Sequence, residues 1–270
     1  MKSLANKKLF LFDIDGTLGV GDTLFNGTKE LLTYIDSIGG QSYFITNNST
    51  HSNVDYVNKF KNVFHLDAAP WQFITSGYIT TEFLKANYPN DTIFVLGTDS
   101  FIKELQGNGL HITTSAKEGI ACIVVAYDNE LTYAKLTEAS KALTLFSVPY
   151  YATNPDLRCP ISFGFVPDCG AICEMLESTT GKAPIYLGKP NKEMVLVSLE
   201  RSGFLPEETL VIGDRLYTDI ACGTAAGVDT CVVYSGEATK EDVALTASPP
   251  SYAFPDINHL YMSLLHNSLD

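Results

Sequence analysis

The run Leu9-Phe10-Leu11-Phe12 is apolar at four consecutive positions and then stops at two carboxylates, Asp13 and Asp15. Four apolar residues in a row suit a strand covered on both faces, as in a parallel sheet between layers of helix. Gly16 then permits a tight turn. Ligands of open α/β sheets bind outside the carboxyl ends of the strands, where Asp13 and Asp15 would stand. Two acids there are solvated turn residues, cation ligands or reactive groups. The stretch alone does not separate these, so the rest of the chain must supply partners.

The remaining pattern alternates strands with helices. Asn26 to Ile38 reads as a helix with Leu31, Leu32 and Ile35 on one face, ended by Gly39-Gly40. A Gly-rich flap lies between Thr17 and Phe25. Tyr43 to Ile45 reads as a strand that stops at Thr46-Asn47-Asn48-Ser49. Helices are expected from Val54 to Phe60 and, after a strand end at Phe73-Ile74, up to about Tyr88. A second series follows Pro89, with strands at 92–96, 120–126 and 150–153 and helices at 99–105, 131–145 and 170–178. Ile185 to Leu187 reads as a strand ending at Gly188-Lys189-Pro190, and Leu210 to Ile212 as one ending at Gly213-Asp214. A helix is expected from about Thr218 to Ala226. Cys231 to Val233 reads as an edge strand. Beyond Ala244 the pattern is weak, with one helix near the end. Such alternation specifies parallel sheets flanked by helices.

Four strand ends thus carry polar groups: Asp13 and Asp15, Thr46 and Asn47, Lys189, and Asp214 with Asp219. If the strands are neighbours, these groups meet in one crevice. Carboxylates without nearby His or Cys favour a hard ion such as Mg2+ over Zn2+. A lysine with hydroxyl and amide donors suits phosphate oxygens. Together they match phosphoryl transfer, in which an Asp can be the nucleophile and a second acid the proton carrier. Helix capping is the simpler role for Asn48 and Ser49, and a helix-start acid the simpler role for Asp219. Cys159, Cys169 and Cys173 lack paired metal-ligand spacing and read as small buried hydrophobes.

The net charge of −13 disfavours phosphate backbones and anionic lipid, so no nucleic-acid polymer and no membrane is expected as partner. No apolar run reaches a membrane span, and none follows the basic N-terminus far enough for an export signal. A cytoplasmic location with reduced thiols is therefore expected.

In order, Asp13-Ile14-Asp15-Gly16-Thr17-Leu18, Thr46-Asn47, Lys189 and Gly213-Asp214-Arg215-x-x-x-Asp219 resemble the four motifs of the haloacid dehalogenase-like (HAD) superfamily. The resemblance covers essentially the whole chain. Only 32 residues separate Asp13 from Thr46, but 142 separate Thr46 from Lys189. That second interval has room for an inserted cap, as in class II members. Asn154-Pro155-Asp156 and Gly188-Lys189-Pro190 resemble the NagD-type, or 4-nitrophenylphosphatase-like, branch in particular. The resemblance implies a Rossmann-like core of residues 1–81 and 185–270, with an α/β cap at 82–184.

It also implies roles. Asp13 would be the phosphorylated nucleophile and an Mg2+ ligand, and Asp15 the general acid/base with its carbonyl on the metal. Thr46 and Asn47 would bind the phosphoryl group, and Lys189 would neutralise it. Asp214 would ligate Mg2+ and Asp219 would support it, directly or through water. The acid at Asp15 argues against dehalogenation. The substrate would be a small phosphorylated metabolite, such as a nucleoside monophosphate or sugar phosphate, with 4-nitrophenyl phosphate as an artificial one. A homodimer is compatible with the pattern. Arg158 is either a surface residue or a contact to a polar substrate group. Val166-Pro167-Asp168-Cys169-Gly170 departs from the Pro-Gly-x-Gly of many relatives, which loosens any inherited substrate preference. The rivals are a phosphotransferase or phosphomutase, and a phospho-accepting receiver-like switch without turnover.

Overall fold

In the computed structural model, which describes residues 4–267, two parallel sheets share the chain. The first has six strands in the order Tyr252–Phe254, Asp229–Val233, Thr209–Gly213, Leu9–Phe12, Gln41–Thr46 and Phe73–Thr75. The apolar run that opens the sequence is thus an inner strand, paired in parallel with Thr209–Gly213 on one side and Gln41–Thr46 on the other. Its side chains alternate between two cores. Phe10 and Phe12 join Leu31, Ile35, Tyr56 and Leu260 on one face. Leu9 and Leu11 join Ile79, Met194, Val195 and Cys222 on the other. Both faces are covered by helices, which is why the run is apolar throughout.

The second sheet has five parallel strands, ordered Ile185–Tyr186, Tyr150–Ala152, Ile120–Val125, Thr92–Leu96 and His111–Thr113. Ile123 and Val125 face one apolar cluster, with Cys159, Cys169 and Cys173. Cys122 and Val124 face another. Parallel sheets flanked by helices form the Rossmann-like arrangement expected from the alternation.

Several local expectations are corrected. Ile185–Tyr186 does not join the first sheet; it pairs with Tyr151 and Ala152 of the second. Lys189 is therefore delivered from the second sheet's edge across to the first sheet's strand ends. The expected division at 184/185 leaves this strand on the wrong side, and that at 81/82 falls inside the continuous helix Ser76–Asn87. Residues 1–3 and 268–270 of the expected core lie outside the described residues. Cys231 to Val233 is not at the edge, because Tyr252–Phe254 pairs outside it. All three of its residues are fully buried, as an inner strand requires. The flap between Thr17 and Phe25 is a small antiparallel ribbon of Gly19–Val20 and Thr23–Leu24. A second hairpin, Arg158–Ile161 with Gly164–Pro167, projects from the second sheet toward the first sheet's strand ends.

Candidate active site

Asp13, Thr46 and Asp214 follow or end three neighbouring strands of the first sheet, so the topology alone brings them together. Lys189 joins them from above. Its ammonium is 1% exposed and donates to Asp13 Oδ1 at 2.7 Å, Asp219 Oδ1 at 2.6 Å and the Ile45 carbonyl at 2.9 Å. All three N–H donors are thereby used, as a buried ammonium requires. The two carboxylates hold its pKa above the ordinary lysine value, against the burial that would lower it. The charge on Lys189 is fixed.

The acids outnumber that charge. Carboxylate oxygens of Asp13, Asp214 and Asp219 lie within 4.8 Å of one another. Burial raises the Asp13 carboxyl well above its usual range; Lys189 pulls it back and Asp219 and Asp214 push it up again. Burial, reinforced by Asp219, pushes Asp214 up to about 7. Three carboxylates around one ammonium, all oxygen donors, make a set that suits a hard divalent cation.

Close backbone approach builds this cluster. A Cβ at Gly213 would lie 2.2 Å from the Asp219 Cβ, and one at Gly236 would lie 2.0 Å from Asp214 Oδ2. Asp214 is held further by the Glu237 amide at 2.8 Å and by the Thr17 hydroxyl at 3.3 Å. Asp219 accepts from the Arg215 amide through its second oxygen, at 3.0 Å. It therefore fills the helix-start role and also pairs with Lys189.

Asn47 sits where expected but its side chain faces Lys189. Its Oδ1 accepts from the Lys189 amide at 2.9 Å, and its Nδ2 donates to the Lys189 carbonyl at 3.0 Å and to Asp156 Oδ2 at 3.1 Å. Thr46 accepts from the Asn48 amide at 3.1 Å, and its own hydroxyl remains a donor. Asn48 and Ser49 do not cap the following helix; Ser52 does, in a capping box with Asp55. Ser49 instead pairs its hydroxyl with that of Thr153, at 3.1 Å, on the second sheet.

Asp15 lines the same cavity, and burial raises its carboxyl despite the opposing charges of Lys59 and Arg215. A carboxyl raised above its usual range in this way suits a proton carrier. The cavity itself is small, about 30 Å³, and is roofed by Asp156, Cys159, Pro160 and Asp168.

Sequence reasoning left Asp156 and Glu237 without roles. Arg215 Nη1 lies 3.2 Å from Asp156 Oδ2, and its Nε lies 3.2 Å from Glu237 Oε2. Arg158 is turned to Glu237, at 3.0 Å, and stacks on Phe165; it does not line the cavity. These pairs tie the hairpin of the second sheet to the first. Asn154-Pro155-Asp156, at a strand end of the second sheet, was the available signal for Asp156. Glu237 lies in a loop with no periodic pattern and offered none.

Lys189→Met leaves Asp13 and Asp219 buried against each other without a cation. In divalent-free buffer at pH 8 the variant is expected to lose about 3–5 kcal/mol of unfolding free energy, measured by urea denaturation. The loss should shrink toward pH 5, because the Asp13 carboxyl, already raised by burial, can then take up a proton. A loss that is small at pH 8 or grows on acidification would contradict this account of Lys189.

Comparison with known proteins places the chain. Residues 10–111 match a family model for haloacid dehalogenase-like hydrolases, and residues 186–260 match a second HAD-hydrolase-like model. An acid sugar phosphatase of Staphylococcus epidermidis is 32% identical over 249 residues, covering 92% of this chain and 95% of that one. A 4-nitrophenylphosphatase from Thermotoga maritima superposes with a TM-score of 0.88 at 35% identity, covering 97% of this chain and 98% of that one. A glycerol phosphate phosphatase from Mycobacterium tuberculosis, crystallised with magnesium, gives a TM-score of 0.87 at 25% identity, covering 98% and 78%. With the motif acids and lysine gathered at one set of strand ends, the chain belongs to the haloacid dehalogenase-like hydrolases, in their phosphoric monoester hydrolase branch of NagD and 4-nitrophenylphosphatase type.

Proposed function

We propose that the protein hydrolyses small phosphomonoesters, sugar phosphates among them and 4-nitrophenyl phosphate in vitro, through an aspartyl-phosphate on Asp13 in an Mg2+-dependent reaction. The observation that carries this reading is the buried Lys189 bridge between Asp13 and Asp219. Lys189 fixes Asp13 Oδ1, leaving Asp13 Oδ2 to attack phosphorus. As the Asp13–phosphorus bond forms, the bond from phosphorus to the ester oxygen breaks. Asp15, whose carboxyl burial raises above its usual range, gives a proton to the departing oxygen. Asp15 then takes a proton from water, which attacks phosphorus and frees Asp13 and orthophosphate. Thr46 donates to a phosphoryl oxygen, and Lys189 offsets phosphoryl charge. Asn47 acts on the geometry by clamping both backbone polar groups of Lys189.

Asp13, Asp214 and the Asp15 carbonyl would hold the Mg2+, with Asp219 beside them. When bound, the ion would neutralise phosphoryl charge so that an anionic nucleophile can approach an anionic substrate. The all-oxygen donor set and its excess negative charge support this assignment, as does the magnesium in the related glycerol phosphate phosphatase. The roof over the site favours small leaving groups and excludes bulk water from the acyl-phosphate.

A panel of phosphomonoesters tests the reading. Turnover should require Mg2+, stop with EDTA, and fall by about 10⁴-fold or more in Asp13→Asn. Metal-dependent turnover that survives in Asp13→Asn would sink the mechanism. Asp15→Asn separates the two half-reactions. Nitrophenolate leaves without a proton, so this variant should release one equivalent of it per site in a burst, then turn over about 10²–10⁴-fold more slowly than the parent. A steady slow release with no burst would show that Asp15 is not needed for the second half-reaction.

A further inference from the structure

The second sheet has a crevice of its own. Numbered in chain order, its strands lie 5-4-3-1-2, so the winding reverses between Thr92–Leu96 and Ile120–Val125. Open α/β sheets bind ligands outside the carboxyl ends of the strands at such a reversal, because the helices that follow leave for opposite faces. Here the helix Asp99–Gly107 follows the first strand and packs Phe101 and Leu105 with Val95 and Cys122. The helix Tyr133–Leu145 follows the other strand and packs Ala139 and Leu143 with Phe94 and Ile123, on the opposite face. Between the starts of these helices lies a cleft of about 350 Å³, against about 30 Å³ beside Asp13. The two cavities share no lining residue.

Leu96 and Ile102 line the apolar part of this cleft. Lys135, at its rim, donates to the Gly97 carbonyl at 3.1 Å and to Asp128 Oδ2 at 2.8 Å; its third N–H has only Glu130, 4.0 Å away. Glu138 accepts the Ala116 amide through Oε2 at 2.7 Å, which leaves Oε1 for a donor. Asp99 adds a second carboxylate. The Asp99 amide, at the helix start where a phosphate would bind, already donates to Glu130 Oε2 at 2.9 Å. We propose that the cleft binds a neutral, planar heteroaromatic compound carrying hydroxyl groups, of the nucleoside type. Its ring covers Leu96 and Ile102, a ring acceptor takes the third N–H of Lys135, and its hydroxyls donate to Glu138 and Asp99. A phosphorylated compound meets Glu130, Glu138 and Asp99 against one cation that is already paired.

Titration calorimetry of the full chain with adenosine, in EDTA so that no metal-dependent turnover intervenes, tests the site. One adenosine per chain should bind, with a Kd on the order of 100 µM. Ribose, which lacks the ring, and adenosine 5′-monophosphate, which adds an anion, should each bind about tenfold or more weakly. Replacing EDTA by Mg2+ and orthophosphate should leave the Kd for adenosine unchanged, because the cleft shares nothing with the cavity beside Asp13. Ala134 lines the cleft from an exposed helix start, so Ala134→Trp should fill it and weaken adenosine about tenfold or more with an unchanged thermal unfolding midpoint. Glu138→Gln removes a charge and keeps an acceptor, and should narrow the preference for adenosine over its monophosphate. Absence of adenosine binding, a monophosphate that binds as tightly, or full affinity in Ala134→Trp would overturn the proposal. Displacement of adenosine by orthophosphate would place it beside Asp13 and overturn the proposal as well. None of these outcomes bears on the phosphatase reading, which the phosphomonoester panel tests separately.

Discussion

One buried ammonium organises this protein. Lys189 donates to Asp13, Asp219 and the Ile45 carbonyl, and its three contacts come from three different parts of the first sheet. A lysine is tolerated at 1% exposure only because each proton has an acceptor and two acceptors are charged. The reverse dependence is as strong. Without Lys189, the acids at the strand ends would face one another in a buried pocket. The surrounding structure is correspondingly tight: Asn47 clamps the lysine's backbone on both sides, and a Cβ at Gly188 would meet the Thr153 carbonyl at 2.5 Å.

The same lysine joins the two halves of the fold. It follows Ile185–Tyr186, a strand of the second sheet, yet its side chain ends among strand ends of the first. Substrate chemistry and cap position are therefore connected through a few residues. Asn47 touches both Lys189 and Asp156. Arg215, next to Asp214, reaches Asp156 and the Arg158 carbonyl. Glu237 holds Asp214 with its amide and Arg158 with its carboxylate. The hairpin that roofs the pocket thus contacts residues that adjoin the strand-end acids.

Much of this was legible in the sequence, for physical reasons. The run Leu9–Phe12 had to be an inner strand because it is apolar on both faces, and the turn after it had to carry Asp13 and Asp15 to the crevice. Asp13, Thr46 and Asp214 could be gathered because parallel strands of one sheet place their carboxyl ends on one side, whereas Lys189 follows a strand of the other sheet and that argument does not reach it. What was not legible lacked a local pattern. Ile185–Tyr186 is two residues long, too short for periodicity to say which sheet it joins. The hairpin 158–167 contains Pro160, Gly164 and Pro167, which read as loop. Tyr252–Phe254 is half exposed and short, so Cys231 to Val233 looked like an edge. The side-chain direction of Asn47, toward Lys189, depends on a partner 142 positions away.

The central claim is that Asp13, pinned by Lys189, becomes phosphorylated. An acyl-phosphate is reduced by borohydride to the alcohol, whereas a free carboxylate is not. Quenching the protein with borohydride during steady turnover of a phosphomonoester, followed by peptide mass analysis, should find Asp13 converted to homoserine and Asp15, Asp214 and Asp219 unchanged. Conversion should vanish when substrate is omitted. An unmodified Asp13 under conditions of proven turnover, or conversion at a different acid, would contradict the account.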